Sequence, residues 1–208
     1  RARGGLDVKW SAGADHTVDF TARPDFSQIE SDTSQITANE RFALFFDEKR
    51  PFFLEGVQLL STPVQAVYTR TITDPRWGAR LSGTARGIRY TALVADDKGG
   101  GSIVLPGTDE SSLAAQDFGS YVFIGRARRD LGRSFIGVLV TDREARDGQG
   151  YNRVIGPDIQ WRPTPNDTVT WQGLFSATKN PRRTDLEPDW RGQSFTSFVS
   201  DLDWNHSP

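Results

Sequence analysis

The sequence predicts an all-β protein: an antiparallel up-and-down sheet of the kind that forms a transmembrane β-barrel, with one short helical or irregular Phe-rich insertion. Three observations predict it. Apolar and polar residues alternate with a period of two along most of the chain. Long and short connections alternate between these segments. Aromatic residues make up 11% of the chain and gather near segment ends, where membrane barrels carry their interfacial girdles.

Taken in order, Leu6, Val8 and Trp10 form one parity and Asp7 and Lys9 the other. After a turn at Gly13–Asp15, Val18, Phe20 and Ala22 oppose Thr17, Asp19 and Thr21. Each stretch reads as a strand with one apolar face. The pattern resumes at Trp77–Thr84 and at Ile88–Val94. It returns at Ser120–Arg128, where Val122 and Ile124 interrupt the polar parity. Ser134–Thr141 is apolar on both faces. Ile155–Arg162, Thr168–Ala177 and Phe198–Trp204 complete about nine or ten strands. Between them, Lys98–Asp117, Glu144–Asn152 and Lys179–Trp190 read as long loops, and Asp130–Arg133 and Pro163–Asp167 as short turns. The stretch 24–76 conflicts with this rhythm, so the orientation of the sheet in a membrane stays open.

Composition excludes several classes. With 25 basic and 27 acidic side chains, the chain lacks the basic excess of a nucleic-acid binder. It has no Cys, so disulfides, thiolate metal sites and cysteine nucleophiles fall away together. His16 and His206 are the only histidines, too few for a His-rich metal site. No 18-residue apolar run predicts a transmembrane helix. The opening Arg1–Leu6 has no apolar core of a secretion signal, which suggests a mature or internal piece. The final strand stops where a turn would begin, which suggests that further barrel strands belong to the parent protein. The 208 residues are expected to form one barrel domain or the N-terminal part of one.

One region breaks the alternation. Thr37–Glu40 resembles a capping box, and Phe42, Phe45 and Phe46 follow at helical spacing. Asp47-Glu-Lys-Arg50 then separates them from Phe52 and Phe53, and Pro51 is expected to end any helix. The insertion, residues 24–65, is predicted to plug or line one mouth of the barrel.

The strings Arg23-Pro-Asp-Phe-Ser-Gln-Ile-Glu-Ser-Asp32 and Glu40-Arg-Phe-Ala-Leu-Phe-Phe-Asp-Glu-Lys-Arg-Pro-Phe-Phe-Leu-Glu-Gly56 carry a resemblance. With Gly5–Trp10, a strand at Tyr68–Ile72, and Gly78–Gly83, they resemble an uncharacterised family of bacterial outer-membrane β-barrel proteins. The resemblance is specific over roughly residues 5–95. It implies a barrel larger than this chain, preceded in the parent protein by a family-9-like carbohydrate-binding module. It supplies no activity and no catalytic residue.

The polar candidates are lumenal. Asp47, Glu48, Lys49, Arg50 and Glu55 suggest first a structural plug held to the wall by Arg–carboxylate pairs, and second a constriction or ligand-contact loop. Asp7, Lys9, Asp19, Arg80, Arg89, Arg126, Arg128, Asp158 and Arg162 share the polar parity. They suggest either a hydrophilic path or a lumen filled by salt bridges. Asp201, Asp203 and Asn205 begin like a calcium loop, but His206 replaces its Gly and no Glu follows in place. Gly99–Ser102 lacks the Lys and helix of a phosphate loop and reads as a flexible surface loop. No metal, cofactor or catalytic set is expected, and His16 reads as a rim residue.

The expected function is passage or surface handling of glycans in a bacterial outer membrane. The expected partners are membrane lipid, oligosaccharide and the carbohydrate-binding module of the parent chain. The alternatives are a non-conducting structural anchor, a soluble β-sandwich binding module and a barrel-embedded hydrolase. Trp10, Trp77, Tyr90, Trp161, Trp171 and Trp204 are the candidate girdle residues.

Overall fold

A computed structural model describes residues 5–13, 15–24, 48–99, 102–105, 112–115, 118–180 and 192–207. Their centre is one antiparallel sheet of nine strands. These are β1 (Leu6–Ala12), β2 (His16–Ala22), β3 (Pro75–Ala85), β4 (Ile88–Asp97), β7 (Ser120–Leu131), β8 (Ser134–Ala145), β9 (Tyr151–Trp161), β10 (Asp167–Lys179) and β11 (Ser194–His206). Each pairs with its neighbour in the sequence of the wall, so the sheet is a meander without crossovers. A separate hairpin, β5 (Ser102–Leu105) with β6 (Ser112–Ala115), stands between β4 and β7. It lies within the long connection expected at 98–117, where the β-branched pair Ile103-Val104 favours a strand.

Alternation sorts the side chains onto two faces. On one face Phe20, Leu81, Val94, Phe123, Ile155 and Phe175 are exposed, along with many other apolar residues. On the other, Asp19, Thr21, Arg80, Thr91, Arg126, Asp158 and Gln172 are buried. The register carries this polar face across the wall, from Asp19 opposite Arg80 to Asp158 opposite Gln172. Among the described residues no second sheet packs on the apolar face.

The polar face is covered by the chain itself. Residues 48–74, which lead from β2 to β3, run over it as α1 (Pro51–Leu54), α2 (Val57–Leu60) and a 3-10 turn at Thr69–Thr71. Pro51 opens α1 rather than ending a helix: at the first helical position its missing N–H has no partner to lose. The strand expected at Tyr68–Ile72 is that 3-10 turn, with Ile72 N donating to Thr69 O at 2.9 Å. The capping box at 37–40 lies outside the described residues. Phe53, Leu60 and Ile72 bury themselves against Leu93, Ala95, Val122 and Ile124 of β4 and β7. Val122 and Ile124 therefore break the polar parity where the covering segment sets down its apolar side chains.

Without a strand at 68–72 the loop lengths fall into order. The connections 23–74, 98–119, 146–150 and 180–193 lie at one end of the sheet. The connections 13–15, 86–87, 132–133 and 162–166 lie at the other and are short. The wall is open, since β1 and β11 are not paired with each other. Nine alternating strands leave these two edges running in the same direction.

One close approach locks two neighbours. A Cβ on Gly156 would lie 1.8 Å from the carbonyl oxygen of Gly173. Pro157, which has no N–H, sits beside it, and the β9–β10 pairing lapses over these residues. Backbone cannot move aside as a side-chain tip can. We expect Gly156→Ala to destabilise the fold by about 2 kcal/mol or more, seen as a lower urea midpoint. An unchanged midpoint would show that the two strands separate at no cost.

Candidate functional site

The candidate site is the seam between the covering segment and the polar face. Three wall arginines form it, and each is built alike. Arg80, buried on β3, bonds Asp19 of β2 through Nη2 at 3.0 Å. Its Nη1 donates to the Phe52 carbonyl and, at 2.6 Å, to that of Glu55. Arg126, buried on β7, grips both carboxylate oxygens of Asp158, the second at 2.5 Å. Its Nε donates to Leu59 O at 3.0 Å. Arg143 on β8 donates to Thr71 O at 2.7 Å and to Asp97 Oδ2 at 3.2 Å.

The logic is that of helix ends. A four-residue helix satisfies few of its own carbonyls. Those of Phe52 and Leu59, with Glu55 at the end of α1, turn to guanidinium groups instead. Arg80 and Arg126 are buried charges and Arg143 a half-buried one; such a charge is tolerable only when paired, and a wall carboxylate supplies the pair. Gln172 adds a neutral anchor: its Oε1 accepts from Val64 N at 2.7 Å. Phe52 lies over Gly78, where a Cβ would come within 2.9 Å of its ring.

The segment also braces itself. Arg50 is buried and donates to Ile72 O at 2.5 Å and Thr69 O at 2.9 Å. Its guanidinium pairs with Glu48 at 2.7 Å and lies 4.2 Å from the Phe53 ring centre. Burial pushes the Glu48 carboxyl up. The Arg50 hydrogen bond, the Thr69 hydroxyl and the Arg50 charge outweigh it and hold the group below its ordinary 4.5.

The predicted residues divide. Glu48, Arg50, Glu55, Arg80 and Arg126 meet in the seam, and Lys9 reaches Glu55 at 2.6 Å across the open edge. Asp19 and Asp158 are two of the three wall carboxylates of the seam, whereas Asp7 is exposed on β1. Lys49 is exposed, and Asp47 lies outside the described residues. Arg89 and Arg128 are not in the seam. They share Asp130 at the short-turn end, at 2.8 and 2.9 Å, and Arg128 stacks on Phe135. Arg162 lies beyond the end of β9. Parity places a residue on a face but not along the strand, so these three were grouped with residues far from them. Arg143, Asp97 and Gln172 were missed. Each lies on the polar parity of its strand, but Arg143 and Asp97 fall past the stretches where alternation is clean.

Asp201, Asp203 and Asn205 lie along β11 and not in a loop, and no group of three metal-ligating side chains occurs among the described residues. His16 Nδ1 meets Tyr90 OH at 2.8 Å beside a short turn.

The fold and seam define a class: a one-layer antiparallel sheet, apolar on one face and charged on the other, with its charged face capped by its own chain. Over residues 1–82, under half of its length, the chain is similar to a family described as a domain of unknown function, DUF5916. No curated protein and no solved structure matches it.

Two outcomes follow from the seam. Arg126→Ala strands a fully buried Asp158 and is expected to cost about 3–5 kcal/mol. Arg126→Met with Asp158→Leu removes both charges and should recover most of that loss in urea unfolding. A double variant as weak as the single one would mean that the pair stabilises the fold outright. The lowered Glu48 carboxyl implies that docking of residues 48–72 is at full strength above pH 4.5. It weakens as pH falls through the lower native value. Hydrogen exchange of this segment should rise over that window and do so less in Glu48→Gln.

Proposed function

We propose that this chain forms wall strands of a β-barrel in a bacterial outer membrane, with residues 48–74 as a plug inside it. The observation that carries the reading is the inverted alternation. Trp10, Phe20, Trp77, Leu81, Phe123, Ile136, Ile155 and Phe198 are exposed while Arg80, Arg126 and Asp158 are buried. In water, an apolar face of this extent has no counterpart on a monomer. In lipid it is the expected outer face, with the polar residues turned inward. Trp77 and Tyr121 near one end of the wall, and Tyr90, Trp161 and Trp204 near the other, suit two interfacial girdles.

The loop lengths support an orientation: the short turns face the periplasm and the long-loop end, from which the plug enters, faces outward. Antiparallel closure needs an odd number of additional strands, because β1 and β11 run in the same direction. The function we favour is gated passage or surface handling of glycans, in concert with a carbohydrate-binding module. Its support is the family resemblance. The polar lining also suits it: the hydroxyls of Thr21, Thr91 and Ser120 have no partner among the described residues. The plug's many wall bonds also favour a second reading, a non-conducting anchor.

The full-length protein should require detergent and should migrate differently on a gel when boiled and unboiled. In planar bilayers it should conduct weakly. Replacing 48–72 by a Gly/Ser linker should raise conductance, and oligosaccharide should then reduce the current. Water-soluble protein without a heat-dependent shift would overturn the membrane reading. A barrel whose conductance ignores the replacement would overturn the plug, and an opened channel indifferent to oligosaccharide would favour the anchor.

A further inference from the structure

We infer that the short-turn rim of the wall is a binding surface for anionic phospholipid headgroups, made by Arg86, Arg129, Arg133 and Arg162. The inference rests on the membrane reading above and names the lipid that this end of the wall takes. The three hairpins β3–β4, β7–β8 and β9–β10 are consecutive along the wall. Their tips therefore recur at about 10 Å, twice the spacing of paired strands. Each tip carries arginine. Arg86 lies in the β3–β4 turn, Arg133 in the β7–β8 turn, and Arg162 directly follows β9. The register draws them together. Arg162 N donates to Ser134 Oγ at 3.0 Å, next to Arg133. Arg129 sits opposite Ile88, two residues from Arg86.

Their charges are uncompensated. The acids at these tips are already engaged: Asp130 is shared by Arg89 and Arg128, and Asp167 meets Thr164, Trp204 and His206. Arg86, Arg129, Arg133 and Arg162 are exposed and make no ion pair among the described residues. At the opposite end Arg146 pairs with Asp96, Arg153 with Asp142 and Lys98 with Asp74, and the exposed arginines without an ion pair among the described residues are two, Arg23 and Arg76, against four at the short-turn rim. Four free guanidinium groups in one rim ask for an anion with several phosphates at similar spacing, and a leaflet of acidic phospholipid is such an array.

Arg129 decides between a lipid and a soluble acidic partner. It lies on the apolar parity, between Ala127 and Leu131, beside the exposed Ile136. A charge on that face is tolerated only where it reaches the headgroup layer. Phosphate at that depth belongs to a lipid, and Ile88, Leu131 and Trp161 supply the exposed surface for its chains.

The test uses the full-length protein in vesicles of phosphatidylcholine and phosphatidylglycerol in equal parts, followed by native mass spectrometry of the lipids it retains. Phosphatidylglycerol should be retained in preference, by about fivefold for each engaged arginine, and less at high salt. Arg86→Gln, Arg129→Gln, Arg133→Gln and Arg162→Gln together should bring the ratio near one, and the four corresponding Lys substitutions should keep it. Should the fourfold Gln variant fail to fold, single Gln variants and the salt dependence of the wild type decide the matter. Folded protein without preference would overturn the inference. So would a preference that survives the Gln variants, or binding of a soluble acidic polypeptide in place of lipid. Protein that stays outside the vesicles would overturn the membrane reading itself, which separates the two failures.

Discussion

An arginine held by a wall carboxylate and donating to a carbonyl of the covering segment is the unit on which this molecule depends. It occurs at Arg80 with Asp19, at Arg126 with Asp158 and at Arg143 with Asp97. A carboxylate alone on that face would be a costly buried anion, and a helix-end carbonyl covered without a donor an unmet acceptor. The guanidinium answers both because it has five donors in a fixed plane. Lys, with a single ammonium, could not hold a bidentate carboxylate and reach a carbonyl at the same time. The excess of Arg over Lys in the composition has here a geometric reason.

This arrangement divides labour between backbone and side chain. The wall reaches the covering segment through its carbonyls at Phe52, Glu55, Leu59 and Thr71 and through the Val64 amide. These contacts read shape and not side-chain identity. What the segment contributes by sequence is the Glu55 carboxylate, met by Lys9 and Arg80, and an apolar set, Phe53, Leu60 and Ile72, against Leu93, Val122 and Ile124. The polar bonds fix position with little net gain each, since each replaces a bond to water. Burial of the apolar cluster supplies the drive. The seam is thus strong where the wall is apolar and specific where it is charged.

Much of the wall was legible because a strand's period of two leaves a direct trace. Leu6–Trp10 and His16–Ala22 alternate without interruption and Thr168–Ala177 with one apolar intruder, Leu174, and each is a strand. The irregularities were legible only as irregularities. Val122 and Ile124 looked like flaws in a polar parity, because their explanation lies in residues some seventy positions earlier. Tyr68–Ile72 was expected as a strand from the family resemblance and not from alternation. It became a 3-10 turn because Arg50 claims the carbonyls of Thr69 and Ile72. That one misreading also scrambled the loop rhythm, for an extra strand reverses every connection after it. Arg89 and Arg128 share parity with Arg80 and Arg126 yet serve Asp130 at the far end. Alternation says which face a residue takes, and only register says which neighbour it meets.

Exposure along the wall follows from the same unit. Around Arg80 and Arg126 both faces of the problem are solved, since the covering segment meets the inner charges and the strands are paired on either side. At the edges neither holds. On β11 both parities are exposed, Phe198 and Leu202 on one and Val199 and Asp201 on the other. β1 is exposed at nearly every position. Yet both edge strands keep the alternation of the centre, with Asp201 opposite Gln172 and Lys9 opposite Asp19. A sheet edge evolved to meet water carries bulges, prolines or lysines on both faces. The polar parity of β11 instead continues the face that carries Arg126 and Asp158, with Gln172 as the link between Asp158 and Asp201.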